Sequence, residues 1–242
     1  GRGFIGHADG ALVKNVSLSN VNITSSFWSG GLIAFGNNIS VDNVFVSGQL
    51  TGKSYAGGLV GWIQGLVHIS NSSTNVSVSS SSSNVGGLIG QSGSISEGSY
   101  ISNSYASGNV TGIDYVGGLI GSSRIEITKS YATGDVSGTN YIGGLAGFSR
   151  ALASENYALG NVSGTEYVGG LIGHADTSPI NNNYAAGEVS GITKVGGLIG
   201  RVWVGASGNY STGLVTGTNE VGGLFGYTTR ATQDNFWDVE NS

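Results

Sequence analysis

The apolar residues of this chain recur in a fixed order. Tyr115-Val116-Gly117-Gly118-Leu119-Ile120-Gly121 returns at 141–147, 167–173, 194–200 and 220–226. Earlier copies stand at 29–34, 55–61 and 84–90, and the chain opens part-way through one at Gly3-Phe4-Ile5-Gly6. The second glycines of the full copies are spaced 27, 29, 31, 26, 26, 27 and 26 residues apart. A fixed period in this range marks a stacked repeat protein. A second half-repeat, Asn103-Ser104-Tyr105-Ala106-Ser107-Gly108-Asn109-Val110-Thr111-Gly112, returns at 129–138, 155–164, 182–191 and 208–217. Its aromatic residue stands twelve positions before the first glycine of the next Gly-Gly pair, for Tyr105, Tyr131, Tyr157, Tyr184 and Tyr210 and also for Phe45.

Both halves read as strands, because Tyr, Val, Ile and Thr suit a pleated surface and the Ser-Gly-Thr stretches between them suit turns. No segment carries a 3.6-residue period over helical length. Each repeat is then one coil with two or three short strands, unable to bury its apolar side chains alone. Stacking on the next coil at about 4.8 Å continues the core. The expected fold is all-β: a parallel β-solenoid of about nine coils, right-handed by the rule for parallel crossovers, and roughly 40 Å long. One domain covers 1–242, with less regular coils over 1–102, regular coils over 103–226 and a terminal coil over 227–242. Ser79 to Ser83 reads as a lengthened turn, Gln91 to Ser102 as an enlarged loop, and Trp237 as a cover for the open end of the core.

Stacking turns repeat columns into ladders. Leu119, Leu145, Leu171 and Leu198 form one, with Ile120, Ala146, Ile172 and Ile199 beside it. Tyr105, Tyr131, Tyr157, Tyr184 and Tyr210 form an aromatic ladder, and Asn156, Asn183, Asn209 and Asn235 a polar one. Asparagine in such columns bonds its own copies above and below. Neighbouring residues of a regular strand face opposite ways. The Leu and Ile columns are therefore both interior only if the chain bends at the glycines or if other chain covers one of them. Otherwise one is an apolar stripe on the surface.

Glycine is abundant, with 45 in 242 residues, against one proline, so the chain is not collagen. A disordered chain is disfavoured by 38% apolar residues at fixed places in the period. A net charge of −5 with no basic run argues against a nucleic-acid partner. No stretch approaches the apolar length of a membrane helix, so membrane insertion of this segment is not expected. There is no signal peptide, but the chain starts inside a repeat and looks cut from something longer. Absence of cysteine fits a secreted surface protein and fits cytosolic proteins as well.

Val-Gly-Gly-Leu-Ile-Gly followed by Ser130-Tyr131-Ala132-Thr133-Gly134-Asp135-Val136-Ser137-Gly138 resembles the GLUG motif. The resemblance covers nearly the whole chain, best from Asn103 to Gly226, and includes the Phe236-Trp237-Asp238 ending. It implies a bacterial or archaeal secreted or cell-surface protein of adhesin type, with an adhesive or spacer role. It carries over no catalytic residue, and the zinc motif of peptidase members is absent here.

The search for chemistry yields little that converges. His7 and His174 share a Gly-His-Ala-Asp context and one column, yet lie about six coils apart, roughly 29 Å. They cannot ligate one metal, and no cofactor or metal is expected. Asp135 and Glu188 share an outward column with Asn161 between them, at a spacing near the upper end for an inverting glycosidase pair. Asp114 and Glu166 stand in the same relation around Asn140. Solvated surface acids are the competing reading for both pairs. The column after Leu-Ile-Gly contains Phe35, Trp62, Phe148, His174, Arg201 and Tyr227. Facing outward it could contact a sugar or a partner protein; facing inward it fills a corner. A partial threonine array, Ile113, Thr139, Thr165, Ile192 and Thr218 beside Thr111, Ser137, Ser163, Ser190 and Thr216, raises an ice-binding face. Asn-x-Ser/Thr triplets follow from the repeat's own composition.

The sequence thus predicts a non-enzymatic extracellular β-solenoid: a stalk, an adhesin segment or a filament subunit. Its partners would be a host surface or polysaccharide, or its own copies through coil ends or an apolar ladder. A carbohydrate-binding or polysaccharide-degrading β-helix and an ice-binding solenoid are the alternatives.

Overall fold

A computed structural model describes residues 1–230 and 232–238. The chain winds into a β-solenoid of nine coils with no helix among the described residues. Coil five shows the regular plan. Asp114–Gly117 belongs to a first sheet of eight strands, and Ile120–Ser123 to a second sheet of nine. Glu126–Thr128, Tyr131–Ala132 and Val136–Ser137 belong to a third sheet that runs the length of the rod. A regular coil therefore carries five short strands rather than two or three. The turns interrupt the sequence more often than its apolar pattern suggests.

The regular coils pair with their neighbours in parallel and in register. Ile120 lies opposite Ala146, Ala146 opposite Ile172, and Ile172 opposite Ile199. Tyr105 faces Tyr131, Tyr131 faces Tyr157, Tyr157 faces Tyr184, and Tyr184 faces Tyr210. The early coils pair in parallel too, with register shifts between Leu18 and Val21 and between Ser92 and Ile95. In coils one and two the third side is a continuous strand of 13 residues, Leu12–Thr24 and Ser40–Gly52. The expected loop from Gln91 to Ser102 is partly strand, in Ile89–Ile95 and Tyr100–Ser102, and only the residues between them leave the sheets.

The Leu and Ile ladders are both interior. Leu119, Leu145, Leu171 and Leu198, like Ile120 and Ile172, have no accessible surface. The chain bends at Gly-Gly, Leu119 lies in the corner between the first-sheet strand and the second, and Ile120 opens the second, so both side chains point inward and neither column is a surface stripe. Glycine is required at this corner. A Cβ on Gly117 would overlap the carbonyl oxygen of Ile120, and one on Gly118 that of Gly144 in the next coil. A Cβ on Gly121 would press on the Tyr115 oxygen and the Val85 nitrogen, at 2.6 Å from each. The first and second sheets thus close backbone to backbone at these glycines.

The core of a regular coil is Val116, Leu119, Ile120, Ile127, Ala132 and Val136, all buried. Each fully buried Val, Leu or Ile contributes about 1.5–3 kcal/mol relative to exposure. At the far end the inward column Ala106, Ala132, Ala158, Ala185, Ser211 continues as Trp237. The indole lies against Gly223, whose counterparts upstream meet the small Ala and Ser side chains. Trp237 therefore lies over the last Gly-Gly corner while remaining 40% exposed.

Candidate functional site

Two polar features hold the coils in register. Asn156, Asn183, Asn209 and Asn235 form a buried ladder. The backbone N–H of Asn156 donates to Asn183 Oδ1 at 2.9 Å, and that of Asn183 to Asn209 Oδ1 at 2.9 Å. Their amide Nδ2 groups also donate to the same oxygens, at 3.1 and 3.0 Å. Serine does the same work upstream, where Ser72 N–H donates to Ser104 Oγ and Ser104 N–H to Ser130 Oγ, both at 3.2 Å. The residue just before this ladder adopts positive φ in coil after coil: Asn103 at 48°, Lys129 at 50°, Glu155 at 58° and Asn182 at 56°. That left-handed step turns the chain so that the next side chain points inward.

The tyrosine ladder faces outward, and from Tyr105 to Tyr157 its rings are parallel. Tyr105 and Tyr131 have centroids 4.7 Å apart and planes 3° apart, and Tyr131 and Tyr157 stand at 4.4 Å and 7°. Stacked this way, the rings cover one another's faces and show solvent their edges. The ladder stabilises the stack and offers few free faces to a sugar.

Three of the four acids in the candidate catalytic pairs, Asp135, Asp114 and Glu166, have their carboxylates tied into the scaffold. Asp135 Oδ1 accepts from Asn161 N–H at 2.9 Å, and Asn161 Oδ1 accepts from Glu188 N–H at 3.0 Å. Glu188 borders a shallow hollow of about 140 Å³ that Asp135 does not line. Asp114 accepts from Asn140 Nδ2 at 2.9 Å. Glu166 pairs with Lys194 at 2.8 Å, and this hydrogen bond holds its carboxyl below the usual range. Lys194 reaches Glu220 as well, at 3.5 Å. Among the described residues no three His, Cys, Asp or Glu side chains converge to hold a metal ion. The threonine array lies at a corner with its backbone in register, Thr165 N–H donating to Thr139 O at 2.7 Å, but exposed Ile113 and Ile192 interrupt the hydroxyls.

The column after Leu-Ile-Gly is continuous: His7, Phe35, Trp62, Gln91, Ser122, Phe148, His174, Arg201 and Tyr227 lie opposite one another in turn. It does not stand alone. Across a seam from it runs the column just before Val-Gly-Gly, with Tyr55, Tyr115, Tyr141, Tyr167 and Lys194, all at positive φ between 50° and 59°. The two columns touch in two separate groups. In coils two and three, Trp28 lies 5.1 Å from Trp62 and 5.2 Å from Phe35, with Tyr55 at 6.0 Å from Trp62. Polar Asn84, Gln91 and Ser122 then break the run. In coils five to nine, Tyr115, Tyr141 and Tyr167 stack at 4.7 and 4.6 Å, and Phe148 and His174 approach them at 5.8 to 6.3 Å. Phe35 and Trp62 are thus remote from Phe148, His174, Arg201 and Tyr227, although all six share one column.

The second group concentrates unusual electrostatics. His174 is buried at 6% exposure, and neither ring nitrogen has a hydrogen-bond partner among the described residues. Burial, and then the charge of Arg201, lowers its pKa to about 4. The Arg201 guanidinium lies 3.9 Å from the Trp203 ring centroid and 5.6 Å from that of Tyr167. Its Nη1 donates to the Tyr167 hydroxyl at 3.4 Å, while its Nε is buried without a partner. No carboxylate lies within ion-pair reach of Arg201 among the described residues. Comparison with family models, with curated proteins and with solved structures finds no match for the chain.

Proposed function

We propose that this chain is a non-enzymatic, extracellular structural or adhesive β-solenoid of the GLUG-motif kind, serving as a stalk, adhesin segment or filament subunit. The observation that carries this reading is the continuous parallel stacking of nine coils. Core, asparagine and tyrosine ladders all run along one axis, and such stacks make stiff spacers. Three of the four acids in the candidate pairs are engaged in this scaffold instead: Asp135 on Asn161, Asp114 on Asn140, Glu166 on Lys194. Surfaces rich in Ser, Thr and Asn suit a segment that works in water and meets glycans or other surfaces.

Two measurements test the proposal. Beads coated with the purified chain should attach to a cell or glycan surface, while bare beads do not. Incubation with pectic, alginate and chitin polymers should release no reducing ends. Turnover that Asp135→Asn or Glu188→Gln abolishes would replace this reading with the enzymatic one.

A further inference from the structure

Five arginines occur in the chain, and four of them, Arg124, Arg150, Arg201 and Arg230, gather along one edge of the second sheet in coils five to nine. Ser123, Ser149, Ala175 and Val202 stand opposite one another in successive coils. The next residue in each is Arg124, Arg150, Asp176 and Trp203, so these four form the adjoining column. Arg201 reaches Trp203 from within the seam, and Arg230 donates its Nε to the Trp203 carbonyl at 3.2 Å. Asp176 is engaged by Arg150 at 2.9 Å. With it, the four arginines carry a net +3 on a chain of net −5.

That concentration needs a cause beyond folding. Arg201 stacks on Trp203 and donates to Tyr167 but meets no carboxylate among the described residues, and its Nε and both His174 nitrogens are buried without partners, where such groups ordinarily find them. The edge is also open: Arg150 and Trp203 are exposed by 42% and 38%. Guanidinium forks match carboxylates in two parallel hydrogen bonds. The cations recur every one or two coils, at multiples of about 4.8 Å along the axis. That rise is close to the length of one pyranose unit in an extended chain, so acidic sugar units could meet successive arginines. Trp203, 38% exposed beside Arg201, adds an aromatic surface suited to the C–H groups of a sugar ring.

Resting on the adhesive reading above, we propose that this arginine-lined edge binds an extended, carboxylate-bearing polysaccharide, a polyuronate, laid along the rod axis. Four guanidiniums on an otherwise acidic protein are too few for the many phosphate contacts of a nucleic-acid groove.

The test is a titration of the whole chain with polygalacturonate, read by intrinsic tryptophan fluorescence and by a retention assay. Dextran, polyglutamate and oligothymidylate serve as comparison polymers. Binding to polygalacturonate should weaken as salt rises. Arg124→Gln with Arg230→Gln removes two exposed cations outside the seam and should weaken it by about tenfold or more. Arg201→Gln should act in the same direction. Lys14→Gln with Lys53→Gln removes equal charge elsewhere and should leave it unchanged. Failure to bind polygalacturonate, equal affinity for polyglutamate or oligothymidylate, or equal loss in the lysine variant would each overturn the inference. Attachment of coated beads to a surface that survives such a failure would leave the adhesive reading standing. Loss of attachment with polygalacturonate binding intact would strike that reading and not this site.

Discussion

At the scale of single residues, the chain relies on positions where one side chain satisfies the coil beside it. Asn183 is the best case: its Oδ1 receives the Asn156 backbone N–H, and its Nδ2 donates to the Ala153 carbonyl at 3.0 Å. Asn183→Ala leaves these buried groups unpaired and should lower stability by about 1–3 kcal/mol, measured by urea unfolding. Asn183→Ser should cost less, because Ser104 and Ser130 fill the same column in earlier coils. His174 provides a pH signature. Its pKa is depressed in the folded chain to about 4, so between that value and about 6.5 the unfolded chain holds a proton the native one lacks. Stability contributed here is full above the unfolded value and is lost as pH falls toward 4, by about 3 kcal/mol. Arg201 and Arg150 push the same way and Asp176 opposes them. Unfolding midpoints taken from pH 7 to 4 should show this slope, and His174→Phe should remove most of it. An unchanged slope in that variant would exclude His174 as the cause.

At the scale of the element, the Gly-Gly corner decides the architecture. Leu145→Ala opens a cavity in a core with no spare surface and should cost about 2–5 kcal/mol. Gly144→Ala drives a methyl into the Gly170 carbonyl and should cost about 1–3 kcal/mol, although alanine is otherwise the milder residue in a strand. Calorimetry on the two variants checks both values. The sequence made the columns visible because the period is so regular: the order Tyr131, Tyr157, Tyr184 and the asparagine ladder could be read directly. It left the Leu-Ile conflict open, since alternation along a strand cannot reveal where a strand stops. The left-handed tyrosines, Tyr115, Tyr141 and Tyr167, were also hidden, because bulky residues rarely adopt that conformation. The seam went unseen for a related reason. Tyr141 and Phe148 stand seven residues apart, and only the glycine corner brings their rings within 6.3 Å. The arginine edge had a faint signal, in that Arg124 and Arg150 hold the same place in consecutive copies, but Arg201 and Arg230 join it from other offsets.

At the scale of the molecule, coils behave as interchangeable units. Removing 140–165, a single 26-residue period, joins Thr139 to Glu166 at equivalent places. The shortened chain should fold with the same circular dichroism per residue, and its rod should be shorter by about 4.8 Å by small-angle scattering. A deletion of half that length breaks the register of every later ladder and should prevent cooperative folding. Long ladders of parallel pairs also set the folding problem, since each coil must find its neighbour about 26 residues away before any core is complete.

The uniform stacking of coils has a mechanical meaning. Force applied between the two ends of the rod falls on the bonds between neighbouring coils in series. Those bonds are therefore peeled one layer after another, not sheared together. Each detached layer would lengthen the tether by roughly 90 Å of extended backbone. A pulling experiment should then trace a sawtooth of nearly equal teeth, so that a surface held by such a chain would yield in small steps under load before it let go.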